Sequence, residues 1–160
     1  MKYLLLLFLS VACFSFQNLA QASLDGDWQG WGVWTYQGSG DRCLMHFVFS
    51  DSPTQLQRKV GELNCSAVSL SIPSESFIKQ GQNLILNGVV VGKMTADHLE
   101  LHEVYSPTVT IVTNVTMSGL NLDYEEIWYE KSGAVLYKIK GRLNKKSLLP
   151  FAATGLEVRI

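Results

Sequence analysis

Between residues 121 and 143 the side chains alternate in polarity along two successive runs. Leu122, Tyr124, Glu126 and Trp128 share one side of the first run. Val135, Tyr137, Ile139 and Leu143 share one side of the second. A turn at Lys131-Ser132-Gly133 brings those two sides together, and it also faces Asp123 and Glu125 toward Lys138, Lys140 and Arg142. A period of two is the period of a β-strand. A strand pair with one apolar and one charged side belongs to an antiparallel sheet that is wet on one face only. Glu126 breaks the rule, because it points inward with the aromatics.

The same pattern runs along the rest of the chain. Short stretches rich in Val, Ile, Thr, Tyr and Trp recur about every ten residues, divided by Gly, Asn, Asp and Ser, with almost no helical periodicity. Strands are expected near 26–37, 42–50, 57–66, 75–80, 83–87, 89–94, 98–105, 108–117, 121–130 and 134–143, with a last short one over 154–160. Asn87-Gly88 is a type I′ hairpin signal. In strand 108–117, Val109, Ile111, Val115 and Met117 face one way, and Thr108, Thr110, Asn114 and Thr116 the other. The expected fold is all-β: an antiparallel meander closed into a single small barrel of about 8–10 strands.

Met1-Lys2-Tyr3 leads into the apolar run Leu4–Leu9, and Ala20-Gln21-Ala22 supplies a small-x-small cleavage pattern. This is the layout of a secretory signal peptide over residues 1–22, leaving 23–160 as one barrel domain. Gln17, Asn18 and Gln21 interrupt the run too early for a membrane anchor, which needs about 20 apolar residues. Cys13 follows Val11-Ala12 as a lipoprotein cysteine would, but Ser10 stands where a lipobox carries Leu, so a thiol in the discarded segment is the preferred reading. The expected location is the periplasm or outside the cell.

The chain holds 13 Lys and Arg against 14 Asp and Glu. That balance offers no basic footprint for nucleic acid. Past residue 22, two cysteines remain, Cys43 and Cys65, without a CxxC. In an oxidising compartment such a pair reads as a structural disulfide. Asp51-Ser52-Pro53-Thr54 has turn chemistry. A hairpin centred on Thr54 sets Cys43 opposite Cys65, Val48 opposite Val60 and His46 opposite Glu62.

The first expected strand carries Trp28, Trp34 and Tyr36 on one face with Gly30 and Gly32. Large rings beside missing side chains suit a barrel plug or a cavity wall, and equally a core in which glycines ease a strand bend. Gly26-x-Trp28 resembles the opening motif of the lipocalins and their calycin relatives. The resemblance implies that Trp28 closes one barrel end and packs on an arginine from a late strand, for which Arg142 is the matching position. The usual C-terminal helix of that family is not evident in Ser147–Phe151. Gly26-x-Trp28-x-Gly30-x-Gly32 is also similar to nitrobindin-like haem barrels. Those need a late proximal histidine, and the last His here is His102, so no cofactor is expected. A third resemblance is to small periplasmic β-barrel inhibitors of secreted metalloproteases. It would make Ser23-Leu24-Asp25 an inhibitory arm.

His98-x-Glu100-x-His102 places three metal-capable side chains on one strand face, but the two His would stand about 13 Å apart. With Leu99 and Leu101 on the opposite face, a wet strand face is the better reading, and no metal is expected. Glu126 would anchor a cationic or hydroxyl-bearing ligand, or bond to Tyr124, Tyr137 or a buried water; the structural role is preferred. No nucleophile elbow, phosphate loop or zinc motif is present, so no enzyme is expected. Asn64 and Asn114 match the glycosylation sequon inside expected strands. The leading expectation is a non-enzymatic barrel that binds a small, largely apolar molecule. Its lumen would be lined by Trp28, Trp34, Tyr36, Tyr124, Glu126, Trp128, Tyr137 and Ile139, with Cys43, Cys65 and Arg142 structural. The alternative is a protein-binding module such as an inhibitor of a secreted hydrolase. A membrane barrel is disfavoured by the charged face at Asp123, Glu125, Lys138, Lys140 and Arg142.

Overall fold

Each inter-strand pairing in this protein is antiparallel, and the ladder returns to its own start. The structure is a computed structural model that describes residues 23–146. The expected signal segment 1–22 with Cys13, the Ser147–Phe151 stretch and the strand over 154–160 lie outside those residues. The described chain forms β1 (Gly26–Tyr36), β2 (Ser39–Asp51), β3 (Gln55–Cys65), β4 (Ser69–Ile72), β5 (Glu75–Gln80), β6 (Asn83–Leu86), β7 (Val89–Met94), β8 (His98–Ser106), β9 (Val109–Ser118), β10 (Asn121–Glu130) and β11 (Val135–Lys145). β1 pairs with β2 on one edge and β11 on the other, and β2 pairs with β3, which closes the ring. Ten strands make the barrel; β4 is an extra strand that pairs with the upper half of β3 alone, while β5 pairs with its lower half.

The closed all-β barrel is the expected fold. The Asn87-Gly88 turn has positive φ at both residues, 52° and 81°, as a type I′ hairpin requires. The β10–β11 register sets Leu122 opposite Leu143, Glu126 opposite Ile139 and Trp128 opposite Tyr137. On the outer face, Arg142 grips Asp123 at 2.7 and 2.8 Å, and Lys138 reaches Glu125 at 2.7 Å. The charged side is therefore outside and the apolar side inside, the reverse of a membrane barrel. Val135 departs from its expected place. A register shift after Trp128 pairs it with Tyr129, and it lies exposed at the rim.

Cys43 and Cys65 are direct cross-strand partners and form a disulfide. Val48 faces Val60, and His46 faces Glu62, in the register that the turn chemistry implies. Beyond Val48 the pairing slips, so that Phe49 meets Arg58 and Lys59 is left over on β3. That bulge reverses the facing of β3. Leu56 and Arg58 point inward below it, and Gly61 and Leu63 point inward above it.

One end of the barrel is sealed. Leu24 and Trp28 are fully buried, and the Trp28 indole N–H donates to the Leu24 carbonyl at 2.8 Å. Here the structure corrects one expectation. Arg142 does not pack on Trp28; it is an outward residue, aligned with Trp31 and bound to Asp123. The cation over the Trp28 ring is Lys145, with its Nζ 5.3 Å from the ring centre and its backbone in register with Trp28. Strand alternation explains the difference, since Arg142 and Lys145 lie an odd number of residues apart and so face opposite ways. Of the three residues of the expected arm, Leu24 is buried in the barrel floor, and Ser23 and Asp25 are exposed. Asp25 accepts the Asp51 backbone N–H at 3.2 Å.

The space beside Gly30 and Gly32 is not free volume. A methyl on Gly32 would sit 2.4 Å from the Met45 sulfur and 2.7 Å from the Lys140 carbonyl, and one on Gly30 would sit 2.0 Å from the Arg142 carbonyl. The glycines let β1 and β11 close tightly around Met45. The disulfide ties the next strand pair, with Cys43 directly across from Gly32 and bonded to Cys65. Replacing both Cys43 and Cys65 with Ala lowers the unfolding free energy by about 3 kcal/mol in the loop-entropy account. Urea unfolding of the two proteins measures it. A loss under about 0.5 kcal/mol would mean that the β2–β3 ladder already restrains the unfolded chain.

Candidate functional site

The end of the barrel opposite Leu24 and Trp28 is hollow. Two cavities, about 460 and 330 Å³, meet there and share Leu70, Tyr105 and Trp128 in their walls. Both volumes are in the range of small-molecule sites, roughly 300–1,000 Å³.

The outer cavity has an aromatic wall. Trp34 and Tyr36 come from the upper half of β1, Tyr137 and Ile139 from β11, and Trp128 from β10. Trp34 stacks on Tyr36 at 5.9 Å between ring centres and on Tyr137 at 5.8 Å. Trp128 meets Tyr137 edge-on at 5.7 Å and Tyr105 at 4.8 Å. Alternation places these rings inside; the strand ends leave them partly uncovered, with Tyr36 and Tyr105 exposed at the rim. Of the eight expected lumen residues, Trp34, Tyr36, Trp128, Tyr137 and Ile139 line the outer cavity, and Glu126 with Trp128 lines the inner one. Trp28 lies in the sealed floor. Tyr124 is buried beside Phe47, at 4.7 Å between rings, and acts through Glu126.

The inner cavity is polar at its base. Arg58, Glu75, Glu103 and Glu126 all line it. Arg58 is 5% exposed. It donates to Glu75 at 2.8 Å, to both oxygens of Glu103 at 3.1 and 3.4 Å, and to the Pro73 carbonyl at 3.2 Å. Glu126 is 4% exposed. It accepts the Tyr124 hydroxyl and the Trp128 indole N–H, the latter at 2.6 Å. Thr113, in register with Glu126, is equally buried, and its hydroxyl oxygen has no partner among the described residues. Three carboxylates thus surround one guanidinium. Burial, with the hydrogen bond and charge of Glu103, pushes Glu75 up to about 7 against the pull of Arg58. Burial also raises Glu126, against the pull of the Trp128 and Tyr124 hydrogen bonds.

The inner cavity follows a gap in the ladder. β7 pairs with β8 only from Gly92 to Met94, and Val89–Val91 make no pairs with the upper half of β8 among the described residues. Val91, Leu86, Val104 and Tyr105 edge the cavity beside that gap.

Arg58, Glu75 and Glu103 were not picked out by sequence reasoning. Glu103 carried a signal, since it continues the inward row Leu99, Leu101, Glu103, Tyr105. Arg58 carried none, because an unbroken strand would group it with outward Glu62. His98, Glu100 and His102 do lie on the wet face, where His102 and Glu100 pair at 2.6 Å. A larger recess of about 580 Å³ at the sealed end is walled by turns. It has no aromatic side, and its Lys79 is already paired with Asp51.

The raised carboxylates set a pH signature. Glu75 is raised from the ordinary 4.5 to about 7. Between those values the folded protein holds a proton that the unfolded chain has released. Its contribution is therefore full below about pH 4.5 and lost as pH rises through 7. Glu75→Gln removes that slope. The expected result is a variant that gains on the parent, in urea midpoint, as pH goes from 5 to 8. Parallel midpoint curves would contradict it.

A scan of the sequence against protein-family models finds no match, and no curated protein matches it. Solved structures do. The barrel is similar to an S-type phycobiliprotein lyase from Guillardia theta, with a TM-score of 0.58 and 10% identity, over 78% of this chain and 89% of that one. It is similar to a DUF3598-family protein of unknown function from Nostoc punctiforme, with a TM-score of 0.56 and 10% identity, over 77% of this chain and 47% of that one. It is also similar to Rv2717c from M. tuberculosis, with a TM-score of 0.50 and 14% identity, over 78% of this chain and 93% of that one. At such identities the likeness is one of fold alone, a closed antiparallel β-barrel.

Proposed function

We propose that this protein is an exported, non-enzymatic carrier or receptor that holds a small, flat, largely apolar molecule in the open end of its barrel. The observation that carries the reading is the asymmetry of the lumen. One end is plugged by Leu24 and Trp28, while the other keeps connected cavities walled by Trp34, Tyr36, Tyr137, Trp128 and Tyr105. A core that served stability alone would gain by filling that space, since voids forfeit packing contacts. Aromatic faces at stacking distance offer a flat ligand large contact area at low entropic cost. The signal-peptide pattern of residues 1–22 supports delivery to the periplasm or the medium.

Leu70 stands in both cavity walls. In the parent protein, titration with planar apolar dyes and fatty acids should change the tryptophan fluorescence saturably. Trp128→Phe should remove most of that change, and Trp28→Phe little of it. Leu70→Trp, which fills the shared space, should weaken binding at least about tenfold, the equivalent of ~1.4 kcal/mol, with the far-UV spectrum unchanged. A flat titration, or full affinity in Leu70→Trp, would refute a ligand-holding lumen.

A further inference from the structure

The inner cavity has an uneven balance of charge, and that balance selects a ligand class. Its cation is already largely committed. Arg58 gives four of its five N–H donors to Glu103, Glu75 and the Pro73 carbonyl, so an incoming carboxylate would find one N–H left and two glutamates in place. Its third carboxylate is not so held. Glu126 receives only neutral donors, Tyr124 and Trp128, and no cation bonds to it among the described residues. A carboxylate has room for about four hydrogen bonds, and charge-assisted ones are the strongest. Glu126 lines the inner cavity and therefore offers a ligand a carboxylate that still lacks a charged donor. Trp128 links this polar base to the outer aromatic wall, because it belongs to both cavities. The rings around it also favour a cation passing their faces.

Resting on the lumen reading above, we infer that the ligand is an arylalkylamine: a flat apolar ring seated among Trp34, Tyr36, Tyr137 and Trp128, with a protonated amine received by Glu126. Glu126 is then the specificity-determining carboxylate, and Arg58 serves to hold Glu75 and Glu103 in place.

The test uses the oxidised protein and three probes that share one ring: 2-(1-naphthyl)ethylamine, 1-ethylnaphthalene and 1-naphthylacetate. Calorimetry at pH 7 should rank the amine at least about tenfold tighter than the hydrocarbon, as one charge-assisted hydrogen bond in a desolvated site would give. The acetate should bind weakest. Glu126→Gln keeps the shape; its amide oxygen can accept the Trp128 N–H, and its amide N–H can donate to the Tyr124 oxygen. It should bring the amine to within about threefold of the hydrocarbon and leave the hydrocarbon unmoved. Glu126→Asp, which draws the carboxylate back by one methylene, should weaken the amine alone. It supplies an independent reading should Glu126→Gln fold poorly. An acetate that binds tightest would make Arg58 the receiving group and overturn the assignment. An amine equal to the hydrocarbon would overturn it while leaving the lumen reading intact. Binding of none of the three would overturn both.

Discussion

β1 holds the structure closed. Its pairing with β11 joins the first and last strands of the described chain, and β2 follows directly on its other edge. Without its pairing to β11 the sheet would have two open edges, and the interior carboxylates would be wet. The closure depends on glycine at positions where any side chain would strike backbone. At Gly30 the obstruction is the Arg142 carbonyl, and at Gly32 it is the Lys140 carbonyl and Met45. The same absence of side chains that admits Met45 to the lower core lets β1 curve. Trp34 and Tyr36 are then carried up and around the mouth. The cavity wall is a consequence of how the seam is sealed.

The seam makes a buried ionic cluster tenable. Arg58, Glu75 and Glu103 come from three strands, and each would be costly in an apolar interior alone. Together they satisfy one another, with the Pro73 carbonyl taking a further Arg58 donor. Such a cluster is weak as a source of stability, since well-packed apolar residues would serve as well or better. Its presence at the base of a cavity is therefore better explained by what it does to the cavity than by what it adds to the fold.

The sequence revealed most about the barrel where local rules act alone. Turn chemistry at Asp51–Thr54 and Asn87-Gly88 and the period of two in β10 and β11 fixed the registers, the disulfide partners and the charged exterior. The rim aromatics and Glu126 were legible for the same reason. What stayed hidden had one physical origin, a break in the period. The extra residue at Lys59 reverses the facing of β3 and turns Arg58 inward, against the reading that an unbroken alternation would give. β4 escaped notice because Ser-Leu-Ser-Ile is too short and too polar on one side to announce a strand. The Arg142 expectation failed for the opposite reason. It came from a family likeness, and the alternation already visible in β11 placed that side chain outside with Asp123.

The bulge in β3 connects these points. Above it, β3 pairs with Cys43 through the disulfide and with β4; below it, β3 pairs with β5. β5 goes on to β6 and β7, while β4 has no second neighbour in the ladder. The upper wall is therefore a strand short on the side where β7 parts from β8, and the inner cavity lies at that gap, with Arg58 just below the bulge. The inserted residue turns a charge toward that opening. A barrel built only for stability would have kept β3 regular, paired along its whole length and apolar at position 58. The departures from regularity here fall together, at one end and around one carboxylate, which is where a binding site would need them.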